Sequence, residues 1–354
     1  MQASEYLGSD GPVAGEVAGF APRLQQQQMA DAVQQALDAG SSIIVEAGTG
    51  IGKTFAYLVP ALLSGQKMII STGTRHLQDQ LFHRDLPVIR SALAAPVTAA
   101  LLKGRSNYLC LHRLEITRSE GLRADRRQID QLEQAFDWSG RTRLGDIAEL
   151  SGIPEDSPLW PHITSTTENC LGQQCAQYDN CHVVKARRAA QEADLVVINH
   201  HLLCADMVLK DEGFGELLPG VDGFIIDEAH QLAETATRFF GLSLSSRQIK
   251  ELAKDSISEY IRETAETTGL ADHARVLEHR LDEVRLAMGR GEQRAPWSRL
   301  ATNSGMQKNL QTLREALNDL TLSLEQHAGR SRGLDNCYQR SMRLKGLLLQ
   351  TTAQ

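Results

Sequence analysis

The chain is 354 residues long, enough for two or three compact units. Its 42% hydrophobic and 23% charged residues exclude a disordered chain, and an aromatic content of only 5% requires a mainly aliphatic core. A formal net charge of −7 excludes an indiscriminately basic nucleic-acid binder, although an acidic region can balance a basic groove elsewhere.

Residues 1–19 are polar, rich in Gly and Ala, and read as a loose arm. They have no basic start and no apolar stretch long enough for a signal peptide, and no later run approaches the ~18 apolar residues of a membrane span. A cytoplasmic location without a membrane partner is expected, where cysteines serve as metal ligands or thiols more readily than as disulfides. A helix is predicted over 25–39, with Met29, Val33 and Leu37 on one face and Gly40 as its stop. The apolar run 42–46 predicts a strand, and 55–63 a helix. Between them lies AGTGIGKT, from Ala47 to Thr54.

That string fits the phosphate-binding loop pattern in the strand-to-helix context the pattern requires. Gly48, Gly50 and Gly52 let the backbone turn its N–H groups toward phosphate oxygens, with Thr49 and Ile51 between them. The helix N-terminus adds partial positive charge, Lys53 reaches the β/γ-phosphates, and the Thr54 hydroxyl can ligate Mg²⁺. A strand over 67–71 follows, ending in the polar turn Thr72-Gly73-Thr74, then a helix over 76–82. Further strands are predicted over 194–199 and 223–226. The last ends in DEAH, from Asp227 to His230, where Asp227 would hold Mg²⁺ and Glu228 would orient or activate the attacking water. Strand-loop-helix alternation of this kind predicts an α/β fold, a RecA-like P-loop NTPase domain with a parallel, doubly wound sheet.

From about 103 to 188 the alternation lapses, and four of the six cysteines fall there: Cys110, then Cys170, Cys175 and Cys181. Four thiolates suit Zn²⁺ or an iron–sulfur cluster. Structural zinc usually takes two paired hooks, so three-plus-one fits a 4Fe–4S cluster better, with a mixed site using His112, His162 or His182 as the alternative. Cys204 and Cys337 lack partners at ligand spacing. Lys103, Arg105 and Tyr108 precede Cys110, Tyr178 lies inside the cluster, and Lys185, Arg187 and Arg188 follow it. Cations with interleaved rings are the composition of a single-strand path, and equally of a solvated charged helix face. After His230, Leu277, Leu281, Val284 and Met288, then Leu310, Leu313, Leu317, Leu320 and Leu324, recur at helical spacing and predict long packed helices.

Together these stretches make the chain resemble superfamily 2 DNA helicases of the iron–sulfur XPD/DinG type, and most closely the bacterial YoaA-like branch. The resemblance rests on Phe20-Ala21-Pro22-Arg23 through Gln26 and Met29, EAGTGIGKT, IISTGTRHLQDQL, LLKGRSNYLC, the cysteines, VVINHHLL and DEAHQL. Gln25 stands where that branch often has Pro. The resemblance implies ATP, Mg²⁺ and a 4Fe–4S cluster as cofactors, with single-stranded and forked DNA and a replication or repair protein as partners. It implies 5′→3′ unwinding, with Lys53, Asp227 and Glu228 catalytic. Gln26 would contact adenine beside Arg23, His230 would couple the nucleotide site to its neighbours, and Ser71, Thr72 and Gly73 would grip DNA. Implied domains are the arm (1–19), RecA-like domain 1 (20–102 and 191–235), an inserted cluster domain (103–190) and a helical arch (236–354). A Ser-Ala-Thr-type strand and a Q-x-x-G-R-x-x-R-type motif of a second RecA-like domain do not occur, so the resemblance implies a fragment, inactive in isolation. Two other readings follow from the residues: a nucleotide- and DNA-binding module without turnover, and a zinc-stabilised P-loop ATPase.

Overall fold

The structure is a computed structural model and describes residues 2–48, 50–120, 126–211, 217–264, 269–289, 296–297 and 303–352. The chain forms two compact units, residues 1–164 with 179–240, and residues 165–178 with 241–354.

The first unit opens with two short helices, α1 (Ala3–Tyr6) and α2 (Pro12–Glu16), followed by α3 (Leu24–Asp38) and α4 (Lys53–Leu63). Next come β1 (Met68–Thr72), α5 (Arg75–Gln80), which runs on through a wide helical turn at Leu81–Asp85, and α6 (Leu86–Ala92). After β2 (Ala99–Leu101) lie α7 (Leu111–Glu120), α8 (Arg126–Ser139) and α9 (Trp160–Ile163). The remainder is α10 (His182–Glu192), β3 (Leu195–Asn199), α11 (His200–Asp211), β4 (Gly223–Ile226) and α12 (Leu232–Phe240).

Among the described residues four strands form one sheet, all parallel, in the order β2-β3-β1-β4. Helices cover both faces, and the period of two along each strand sorts residues between two cores. Ile70, Leu195 and Val197 join the α3, α4 and α6 core, whereas Ile69, Val196 and Ile198 join the core shared with α10 and α11. The buried Gln78 amide donates to the Leu102 and Val197 carbonyls, closing the end of the sheet between β2 and β3.

Two expectations change here. Residues 41–48 are not in a strand; Ile44 is 99% exposed, and Ile43 and Val45 are also exposed. An apolar run becomes a strand only when a ladder partner satisfies its backbone, and β4 pairs only with β1 among the described residues. Residues 2–19 are not a loose arm. Ala3, Leu7 and Val13 are fully buried, and the Ala3 and Ser4 N–H groups donate to Gln34 Oε1 and Asp31 Oδ1 of α3. Three small apolar anchors and two side-chain caps suffice to dock a segment this short.

Residues 109–163 build their own core from Leu109, Leu114, Leu132, Trp138, Leu159 and Ile163. In the second unit, α13 (Ser246–Thr264), α14 (Leu270–Ala287), α15 (Ser304–Gln326) and α16 (Arg332–Thr351) form an α-helical bundle. Both leucine stripes line its core, from Leu277 and Leu281 to Leu317 and Leu324, while Met288 at the end of the first is 41% exposed. Segment 165–178, with Cys170 and Cys175, belongs to this unit.

Candidate nucleotide site

Two glycines build the phosphate loop: Gly50 and Gly52 have φ of 80° and 87°, the left-handed region open to glycine. Gly52 caps α4, so Lys53 and Thr54 occupy its first turn, where backbone N–H groups lack intrahelical partners. Thr49 lies outside the described residues. Gln26 is buried, and its Nε2 donates to the Gly52 carbonyl at 2.9 Å; a Cβ on Gly52 would collide with that amide. The carboxamide expected to meet adenine is thus tied to the loop itself, and Arg23, at the N-cap of α3, is exposed. Phe20 stacks on Phe55 with ring centroids 6.4 Å apart, fixing the entry to α3 against α4.

The parallel register brings the end of β4 beside the end of β1 and toward the loop. Lys53 Nζ lies 3.3 Å from Glu228 Oε1, and His230 Nδ1 lies 3.4 Å from Glu228 Oε2. Asp227 is anchored to both neighbouring elements. Its N–H donates to the Ser71 carbonyl at 2.9 Å, and its Oδ2 accepts from the Tyr57 hydroxyl at 3.2 Å. Burial holds the Asp227 carboxyl above the usual carboxylate range, with the neighbouring Glu228 charge acting in the same direction. Burial, and then the Asp227 charge, push the Tyr57 phenol well above its ordinary value. Tyr57 did not stand out in the sequence. The signal was its place four residues after Lys53, one helical turn along the same face.

The residues expected at DNA divide. Ser71 and Thr72 are buried; the Ser71 hydroxyl is engaged with His200 Nδ1 at 2.7 Å, and Thr72 Oγ1 donates to the Thr74 carbonyl. Gly73 is partly exposed at the turn. Lys103 is 4% exposed, because its ammonium sits between Asp79 Oδ1 at 2.6 Å and Asp146 Oδ2 at 2.7 Å. Tyr108 is buried too; its oxygen accepts the Lys103 N–H, and burial pushes its phenol up to about 12. A buried ammonium neutralised by two carboxylates cannot meet a phosphate, and a buried ring cannot stack on a base, so both are corrected to internal staples. Arg105 is partly exposed.

Cys110 and Cys181 belong to the first unit, immediately before α7 and at the N-cap of α10, and Cys170 and Cys175 belong to the second. All four are half-buried, whereas Cys204 and Cys337 are buried, with the Cys337 thiol pushed up to about 12 by its burial. Among the described residues no group of three or more His, Cys, Asp or Glu is disposed to hold a metal ion. No described helix is long and apolar enough to cross a membrane.

Residues 24–117 match the family described as DEAD/DEAH box helicase. The chain is 44% identical over 345 residues to "ATP-dependent DNA helicase YoaA" of Haemophilus influenzae, covering 97% of this chain and 54% of that protein. It is 46% identical over 332 residues to the YoaA of Escherichia coli K12, covering 94% and 52%. Against "ATP-dependent helicase DinG" of Mycobacterium tuberculosis it is 33% identical over 291 residues, covering 74% and 43%. The chain spans about half the length of the curated relatives it matches.

Proposed function

We propose that this chain is the nucleotide-hydrolysing half of an ATP-dependent DNA helicase that translocates 5′→3′ on single-stranded DNA and opens forked duplexes in DNA repair or replication. The observation that carries the reading is the convergence of Lys53, Asp227 and Glu228, with Lys53 and Glu228 paired across 175 residues of sequence. Lys53 pairs with Glu228; a γ-phosphate in the loop would take over the ammonium and free the carboxylate for water. Thr54 and Asp227 would hold Mg²⁺, whose charge offsets that of the phosphates. Glu228 then accepts a proton from, or aligns, the attacking water. Gln26 and Arg23 would receive the base, with Gln26 linking that contact to Gly52.

The four half-buried cysteines, Cys110, Cys170, Cys175 and Cys181, fit a 4Fe–4S cluster by donor chemistry, since soft thiolates are the ligands iron–sulfur clusters take. Iron and sulfide analysis of anaerobically purified protein, with absorbance near 400 nm, tests it; stoichiometric zinc without iron overturns it. Gly73 and Arg105 remain the side of the site open to DNA.

The test of the main reading is DNA-stimulated ATPase of the full gene product. Lys53→Ala should lower it by about 10²–10³-fold, the usual cost of removing one preorganised electrostatic contact. Glu228→Gln should retain ATP binding and slow turnover by about 10²–10⁴-fold. Activity indifferent to Lys53 overturns the assignment. Binding of nucleotide and DNA without turnover favours the second reading, a binding module, which the unladdered segment 41–48 leading into the loop supports.

A further inference from the structure

β1 lies between β3 and β4, with Thr72 opposite Asn199 and Ser71 opposite Ile226. The next residue of each neighbouring strand, His200 on one side and Asp227 on the other, therefore flanks the end of β1. Ser71 meets both. Its hydroxyl is 2.7 Å from His200 Nδ1, and its carbonyl accepts the Asp227 N–H at 2.9 Å.

His200 is wholly buried, its ring bordered by the backbone carbonyls of Asp227 and Glu228, and its Nε2 has no hydrogen bond of normal geometry. An imidazole buried in this way costs more than an aliphatic side chain filling the same space. On the other side of the turn, the Gln231 carboxamide packs so closely on Gly73 that any Cβ there would collide with it. Glu228 lies between these two contacts at φ 52° and ψ 44°, a left-handed conformation that a non-glycine residue keeps only when its surroundings impose it.

We propose that His200 is a positioning residue that couples the polar turn after β1 to the Asp227–Glu228 turn, so that a ligand moving the first re-aims the second. The proposal rests on the reading of those turns as the DNA-facing and hydrolytic edges of one motor. Ser71 transmits displacement to Asp227 through its backbone and to the imidazole through its hydroxyl. The imidazole borders the same two peptides, so a shift of Ser71 reaches Asp227 and Glu228 together.

The experiment measures, on the full gene product, the affinity of a fluorescent non-hydrolysable ATP analogue with and without an oligo-dT strand, alongside DNA-stimulated turnover. The wild type should show a coupling factor within the usual range of about 5–150-fold. His200→Ala should bring it to within about twofold of unity, with each ligand alone bound within about threefold of wild type. His200→Gln, whose carboxamide can still bridge both turns, should recover part of the coupling. The double variant with Ser71→Ala should couple no worse than His200→Ala, as expected for two members of one link.

Wild-type coupling in His200→Ala overturns the proposal while leaving the helicase reading intact. So does a loss of both individual affinities that tracks a lowered melting temperature and is unrelieved in His200→Gln, the mark of a merely structural side chain. A wild type that binds no ATP through Lys53 overturns the helicase reading and the coupling with it.

Discussion

At the scale of single residues, charge and burial divide the polar side chains into those that can act and those that only hold. Lys103 is the clearest of the second kind, an ammonium locked between Asp79 and Asp146 that ties the loop after β2 to α5 and to the region beyond. Removing one member of a buried ion group leaves the other charges uncompensated, typically at about 3–5 kcal/mol. Lys103→Ala should therefore lower unfolding free energy by about 3 kcal/mol in urea titration, toward the low end because Asp79 is one-third exposed. DNA affinity per folded molecule should be unchanged; a selective loss of DNA binding at wild-type stability would restore Lys103 to the DNA path.

Asp227 shows the opposite balance. Its folded-state pKa lies above the ordinary value, so the folded protein holds that proton more tightly than the unfolded chain. Its contribution thus favours folding at acid pH and is lost as pH rises through the folded value. Above that value the ionised, desolvated carboxylate costs stability. Asp227→Asn, which can still accept from Tyr57, should raise the melting temperature in Mg²⁺-free neutral buffer while abolishing hydrolysis. A lower melting temperature than wild type would mean that the charged hydrogen bond outweighs desolvation.

At the scale of elements, the sheet and the bundle use different periodicities for the same end. Alternate residues of β1 and β3 enter opposite cores, whereas α14 and α15 present leucines every three or four residues to one core. Leu317 has no exposed surface and sits midway along α15. Leu317→Ala removes three methyl-scale groups from a close-packed interior, and such truncations cost about 2–5 kcal/mol. Circular dichroism should register that loss in the helical transition, while nucleotide affinity at 20 °C stays as in wild type, because the loop belongs to the other unit. An equal loss of nucleotide affinity would mean that the two units do not fold independently.

At the scale of the whole molecule, the outer side of β4 is the weak point. β4 pairs with β1 alone among the described residues, and Phe224 on it is 52% exposed. An open parallel edge with an aromatic on its face is a template for pairing with another chain. The 354-residue chain by itself should associate at micromolar concentration in sedimentation velocity. Phe224→Lys should shift it toward monomer without altering far-UV circular dichroism. Association unchanged by the lysine would locate the sticky surface elsewhere.

Whatever depends on local pattern was legible in the residues: the phosphate loop, the acidic strand end, the helix stripes and the strands that found neighbours. Glycines at Gly50 and Gly52 and a period of two or 3.6 carry that information within a few residues. The sequence also carried the similarity to DEAD/DEAH box helicases, because several separate stretches agree. Which polar groups are spent internally depends on packing between distant elements. The spacing around Cys110 cannot reveal that Lys103 meets Asp146, that the Ser71 hydroxyl meets His200, or that Tyr57 reaches Asp227, since each pair is joined only when distant elements pack. The same reason explains 41–48. Its apolar residues state a preference for a strand, but a strand is a relation between two segments, and its backbone pairs only if a partner lies beside it.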